Sequence, residues 1–127
     1  MSGAAHRAPT RAHALTVLLW VTSGAVLAQA ALAGLFLSGI GAARLPHLVV
    51  GSLLPWYALV PAVLARAAQQ RGACGSRLAV AVYALPVLLW VQSAAGHLPF
   101  AASTAVHVPL GVALAVGPAV LAVRLRA

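Results

Sequence analysis

The chain has 127 residues, 63% of them hydrophobic and 6% charged, and all eight charged residues are arginines. With no Asp, Glu or Lys, it can build no carboxylate pair, Ser-His-Asp triad, carboxylate Mg²⁺ or Ca²⁺ site, or acidic proton relay. A soluble domain is about 45–50% apolar and about 25% charged, so a fold of this size must leave part of its apolar surface to lipid.

Residues 1–13 form a polar N-terminal segment with Arg7, Arg11, His6 and His13, where both histidines are expected to be solvated. Apolar stretches follow at 14–40, 46–65, 78–98 and 99–123, and residues 124–127 form a short tail. Each stretch crosses about 30 Å of hydrocarbon as a helix rising 1.5 Å per residue. Their apolar residues do not alternate, and Ala and Leu outnumber β-branched types, so none reads as a strand. A cleaved signal ending at Ala28-Gln29-Ala30 fits poorly. The first apolar run continues to Ile40, past the 7–15 residues of a signal core.

The arginines orient the spans. Arg7 and Arg11 precede the first, Arg66, Arg71 and Arg77 separate the second and third, and Arg124 and Arg126 follow the fourth. Only Arg44 falls on the other side. The positive-inside rule makes the arginine-rich side cytoplasmic, with both termini inside and two tight helical hairpins. The fold expected is an all-α, four-helix transmembrane bundle in a bacterial inner (cytoplasmic) membrane. A charge of +8 placed between apolar spans serves topology and not nucleic acid, which needs a basic folded face. Cys74 is alone, so it makes neither an intramolecular disulfide nor a haem attachment motif.

The two hairpins resemble each other. Leu18-Leu19-Trp20-Val21 recurs as Leu88-Leu89-Trp90-Val91. A looser series runs Gln29, Gly34, Leu45-Pro46, His47, Gly51 and returns as Gln92, Gly96, Leu98-Pro99, His107, Gly111. The two registers conflict, so a duplication is suggested without a fixed alignment. His47 lies 19 residues before Arg66, and His107 lies 17 before Arg124. Both should sit at one depth near the outer face, on parallel spans 2 and 4.

Two neutral imidazoles at equal depth on facing helices suit axial ligation of one haem iron. Gly51 and Gly111 stand four residues on, on the same helix face, and would clear space for a flat ring. Pro55 and Pro109 would kink their helices. Arg44, the lone outer arginine, and His97 would meet propionates near the membrane surface. Gln29 and Gln92 would donate hydrogen bonds at the same level. The competing structural readings are an interface histidine at His47, an interhelical hydrogen bond at His107 and simple close packing at the glycines. Trp20, Trp56, Trp90 and Tyr57 read as anchors or packing residues.

On these motifs the chain resembles one four-helix half of the haem A synthase family, and small four-helix membrane proteins of GC-rich bacteria. Gln29-Ala30-Ala31-Leu32-Ala33-Gly34 is similar to the family's Gln-x-x-Leu-Gly stretch, with one extra residue. Leu98-Pro99-Phe100 and Ala105 to Gly111 resemble its third-to-fourth helix junction. The resemblance implies that His47 and His107 are haem ligands. The family's glutamate, three residues before its second-helix histidine, is Arg44 here, so the resemblance implies haem holding and not haem oxidation. The expectation is a cytochrome b-like carrier of one haem b, passing single electrons with a quinol or redox protein. The alternative is a cofactor-free accessory subunit of a larger membrane complex, or a homo-oligomer. A proton-coupled exporter is a weaker third, because such proteins use a membrane carboxylate.

Overall fold

A computed structural model of the protein describes residues 11–126. The described chain is helical throughout: α1 Arg11–Leu37, a 3-10 turn Gly41–Ala43, α2 Arg44–Tyr57, α3 Leu59–Gln70, α4 Ser76–Ala95 and α5 Phe100–Arg124. Four segments are long and apolar enough to cross a bilayer: Ala12–Leu37, Gly41–Gln70, Ser76–Ala95 and Ser103–Arg124. The protein is a multi-pass membrane bundle. His6 and Arg7 lie outside the described residues, and His13 is an exposed residue of α1.

Helix ends differ from the hydropathy boundaries for local reasons. The first span stops at Leu37 and not Ile40, because Gly39 takes a left-handed φ of 93°. Ile40 N–H then donates to Leu35 O at 3.0 Å and Gly39 N–H to Phe36 O at 3.0 Å, the paired bonds of a Schellman cap. Gly72, at φ 69°, ends α3 the same way: Ala73 N–H donates to Ala68 O and Gly72 N–H to Gln69 O. The fourth span starts at Phe100, with Pro99 as its extended cap at ψ 144°.

Span 2 is two helices. Pro55 and Pro61 lack the N–H groups that would bond Gly51 O and Tyr57 O, and the break falls between them at Ala58. Ala58 N–H still donates to Leu54 O and Ala62 N–H to Ala58 O, so the chain continues in one direction. α5, by contrast, runs unbroken through Pro109 and Pro118.

Neighbours in space are neighbours in sequence, with α1 also closing on α5. Span 2 packs between α1 and α4, and α5 packs on α4 and α1. The diagonal pairs, α1 with α4 and span 2 with α5, make no close backbone approach among the described residues. The bundle is therefore a square of alternating up and down helices. Ala68, Cys74 and Ala79 pack with Leu125, which places the α3–α4 loop beside the end of α5. Arg66, Arg71, Arg77, Arg124 and Arg126 thus share one end, and Arg44 marks the other.

The core is confined to the arginine-rich half and its middle. Leu15, Leu19, Val26, Leu54, Ala58, Ala65, Val82, Leu85, Leu89, Leu114 and Ala122 form one buried cluster. In a bilayer a leucine facing lipid is already in hydrocarbon, so small residues and side-chain hydrogen bonds bring helices together. Alanines do so here. The buried Ser23 hydroxyl donates to Ala115 O across the α1–α5 contact, and Tyr57 OH to Leu18 O at 3.2 Å. Trp56 and Trp90 meet edge to face at 5.0 Å, on the exposed outer surface.

Burial bears on the alignment of the repeat. Thr16, Leu19, Thr22, Ser23 and Val26 on α1 are buried, as are Ala79, Val82, Leu85, Pro86 and Leu89 on α4. Each pair stands 63 positions apart, the spacing of Gln29 and Gln92. The Leu-Leu-Trp-Val spacing of 70 pairs three buried positions, Leu15, Thr16 and Leu19 with Leu85, Pro86 and Leu89, so burial favours the glutamine register.

Candidate functional site

Above the core, at the end marked by Arg44, the bundle loosens. No residue of α2 before Leu54 is buried, nor any described residue of α5 before Leu114. His47 and His107 lie in this upper half, each half-buried.

Each histidine is held by the helix preceding its own. His47 Nδ1 lies 3.1 Å from Gln29 O of α1, and His107 Nδ1 lies 2.9 Å from Gln92 O of α4. A carbonyl only accepts, so both Nδ1 atoms carry the proton. In the neutral imidazole each Nε2 is then left with its lone pair. The equivalence of the two contacts follows from the repeat, because Gln29 and Gln92 occupy one structural position on α1 and α4. The rings come together across the bundle diagonal, with centroids 6.4 Å apart and planes at 67°. Equal depth on parallel spans, read from the arginine spacing, produces this meeting.

The glycines serve the glutamines. A Cβ on Gly111 would come within 3.0 Å of Gln92 Nε2, and one on Gly51 within 3.3 Å of Gln29 Oε1. Gln92 Nε2 donates to His107 O at 3.0 Å, tying α4 to α5 in both directions. The faces expected to clear a flat ring are thus filled by amide side chains. Gln29 Nε2 and Oε1 and Gln92 Oε1 are buried without a hydrogen-bond partner in the chain. Such orphaned groups are uncommon in a folded interior, and here three of them converge on the helix faces that carry the histidines.

Gly96 joins the site and was not singled out as a ligand-pocket residue by sequence. A Cβ there would lie 3.2 Å from His107 Cε1, so α4 offers bare backbone to the imidazole. Its signal is the four-residue step from Gln92, one helical turn. The first hairpin has Ala33 at that step.

Arg44 and His97 flank the site without joining the pair. The Arg44 guanidinium sits 6.0 Å from the Phe36 ring centre, a cation–π contact at the end of α1. His97 is exposed, and its Nδ1 pairs with Ser93 O of its own helix at 2.9 Å. Among the described residues there is no group of three or more His, Cys, Asp or Glu able to hold a metal. An all-protein zinc centre needs three or four such ligands, so the site offers two neighbouring imidazoles, meeting edge to face. No protein-family model, curated protein or solved structure matches the chain.

Proposed function

We propose that the protein is a cytochrome b-like membrane protein, holding one haem b between His47 and His107 and passing single electrons. One observation carries this reading: two Nδ1-anchored imidazoles meet across the bundle, edge to face, with centroids 6.4 Å apart. An imidazole nitrogen lies about 2.0–2.1 Å from a metal it binds and its ring centre about 1.2 Å further back, so two imidazoles sharing one metal hold their centres about 6.4–6.6 Å apart. The observed spacing fits. A metal held by only these two protein ligands would need further donors from outside the chain, which a porphyrin would supply.

The chain's own groups have defined roles in this reading. The Gln29 and Gln92 carbonyls fix the tautomer and aim of each ring, the usual second contact of a ligating histidine. Arg44, the only arginine at this end among the described residues, is the cation available to a carboxylate there. When bound, the haem would supply reversible one-electron chemistry. With His47 and His107 both as ligands, the haem would favour transfer of electrons over oxygen activation. The positive-inside rule sets the histidine end toward the outer face of a bacterial cytoplasmic membrane, where a quinol or redox protein would meet it.

The test is optical. Protein purified in detergent from haem-replete cells should show a low-spin Soret and α band, with pyridine treatment reporting haem b. His107→Ala and His47→Ala should each lose the low-spin spectrum while keeping helical circular dichroism. A colourless, stably folded wild type refutes the proposal. Co-purification with a larger complex that survives the double variant would support the accessory-subunit reading instead.

A further inference from the structure

The arginine-rich end carries a feature that the histidine site does not use. A cleft of about 540 Å³ lies between the start of α4 and the end of α5, lined by Arg77, Arg124, Ser76, Leu78, Ala81 and Leu121. Two guanidiniums therefore share one opening. In most proteins a carboxylate would balance them, but this chain contains no Asp or Glu. No side-chain carboxylate of this sequence can balance them. Arg77 is the second residue of α4 and Arg124 the last of α5, at the ends of two membrane-crossing segments. That is the level of lipid headgroups. Leu78, Ala81 and Leu121 extend the lining with an apolar wall along the helices.

From these residues we infer that the cleft binds the phosphodiester of an anionic phospholipid, one lipid per chain. Arg77 and Arg124 hold the phosphate, and the Leu78–Leu121 wall takes the upper acyl chain. A planar guanidinium forks onto phosphate oxygens through paired N–H donors, and basic pockets between helices are a recurrent way of retaining acidic lipids. The apolar wall distinguishes a lipid from free phosphate, which has nothing to place against it. The site rests on the bundle alone and is independent of any haem.

Native mass spectrometry of the full chain in detergent reads the bound lipid directly. Phosphatidylglycerol should bind and phosphatidylcholine should bind far more weakly. An arginine in contact with the bound headgroup is worth about fivefold in affinity, so Arg77→Gln/Arg124→Gln should weaken phosphatidylglycerol by roughly 30-fold. Both side chains are exposed, and unchanged helical circular dichroism checks that the variant folds. Arg66→Gln/Arg71→Gln, which alters charge at the same end outside the cleft, should leave binding within about twofold. Phosphatidylglycerol bound equally by wild type and the Arg77/Arg124 variant overturns the proposal. So does equal binding of the two lipids, or displacement of the lipid by millimolar inorganic phosphate.

Discussion

Replacing Gly111 with alanine should destabilise the bundle relative to the same change six residues further along α5. A glycine-to-alanine change in a helix interior gains about 1 kcal/mol from the backbone. At Gly117 the added methyl meets nothing within 4 Å, so that gain should appear in full. At Gly111 the methyl would lie 3.0 Å from Gln92 Nε2, closer than the atoms tolerate. The amide must shift by a few tenths of an ångström, straining its bond to His107 O or giving it up. An interhelical hydrogen bond in a membrane is worth about 0.6 and up to about 1.7 kcal/mol. With Gln92 Oε1 already lacking a partner, the whole buried amide is unpaired once that bond is lost, a cost of about 1–3 kcal/mol. Gly111→Ala should therefore lie about 1–3 kcal/mol below Gly117→Ala. Unfolding in mixed micelles with increasing SDS fraction measures the difference. Gly51→Ala should be milder, since its clash is with an amide that holds no bond. The penalty at Gly111 should also largely vanish in a Gln92→Ala background, because a contact that has been removed can no longer be broken. Equal stability of the Gly111 and Gly117 variants would refute the glutamine-on-glycine contact.

Leu114→Ala, at 2% exposure, should destabilise, whereas Leu53→Ala, at 59%, should not. In water the buried change costs about 2.7–5.0 kcal/mol, but about 2.4 of that is transfer of three carbons; helices parted in lipid do not lose that transfer. The expected loss in micelles is the packing remainder, about 0.5–2.5 kcal/mol. Cys74 is buried, and burial raises its thiol pKa above the ordinary value. Less thiolate is present at any given pH, so maleimide should label it more slowly than free cysteine at pH 8, with the rate restored on unfolding.

The spans and their pairing were legible from composition and arginine placement, because lipid imposes length and charge imposes sidedness. The meeting of His47 with His107 was legible too, from residue counts along parallel spans. Three details were not. The break at Ala58 depends on two prolines six apart acting together, and Pro109 and Pro118, nine apart, leave α5 whole. The glutamines' seat on Gly51 and Gly111 requires knowing which faces adjoin, and hydropathy in lipid is nearly blind to faces. The repeat alignment was masked by a four-residue recurrence, and only burial separates the glutamine spacing from the tryptophan one. The end of span 1, however, was readable: Ser38-Gly39 is a helix stop overridden in the reading by the apolar residues around it.

The uneven distribution of the core sets an order of assembly. Every element of the packed cluster, from Leu15 to Ala122, lies below the level of the histidines. Insertion and helix pairing can thus run to completion on the lower half alone. A flat guest arriving sideways from the bilayer would part the half-buried histidines and the glutamine amides beside them and disturb none of that foundation. The empty protein would be a folded precursor, and filling it a later, separable event.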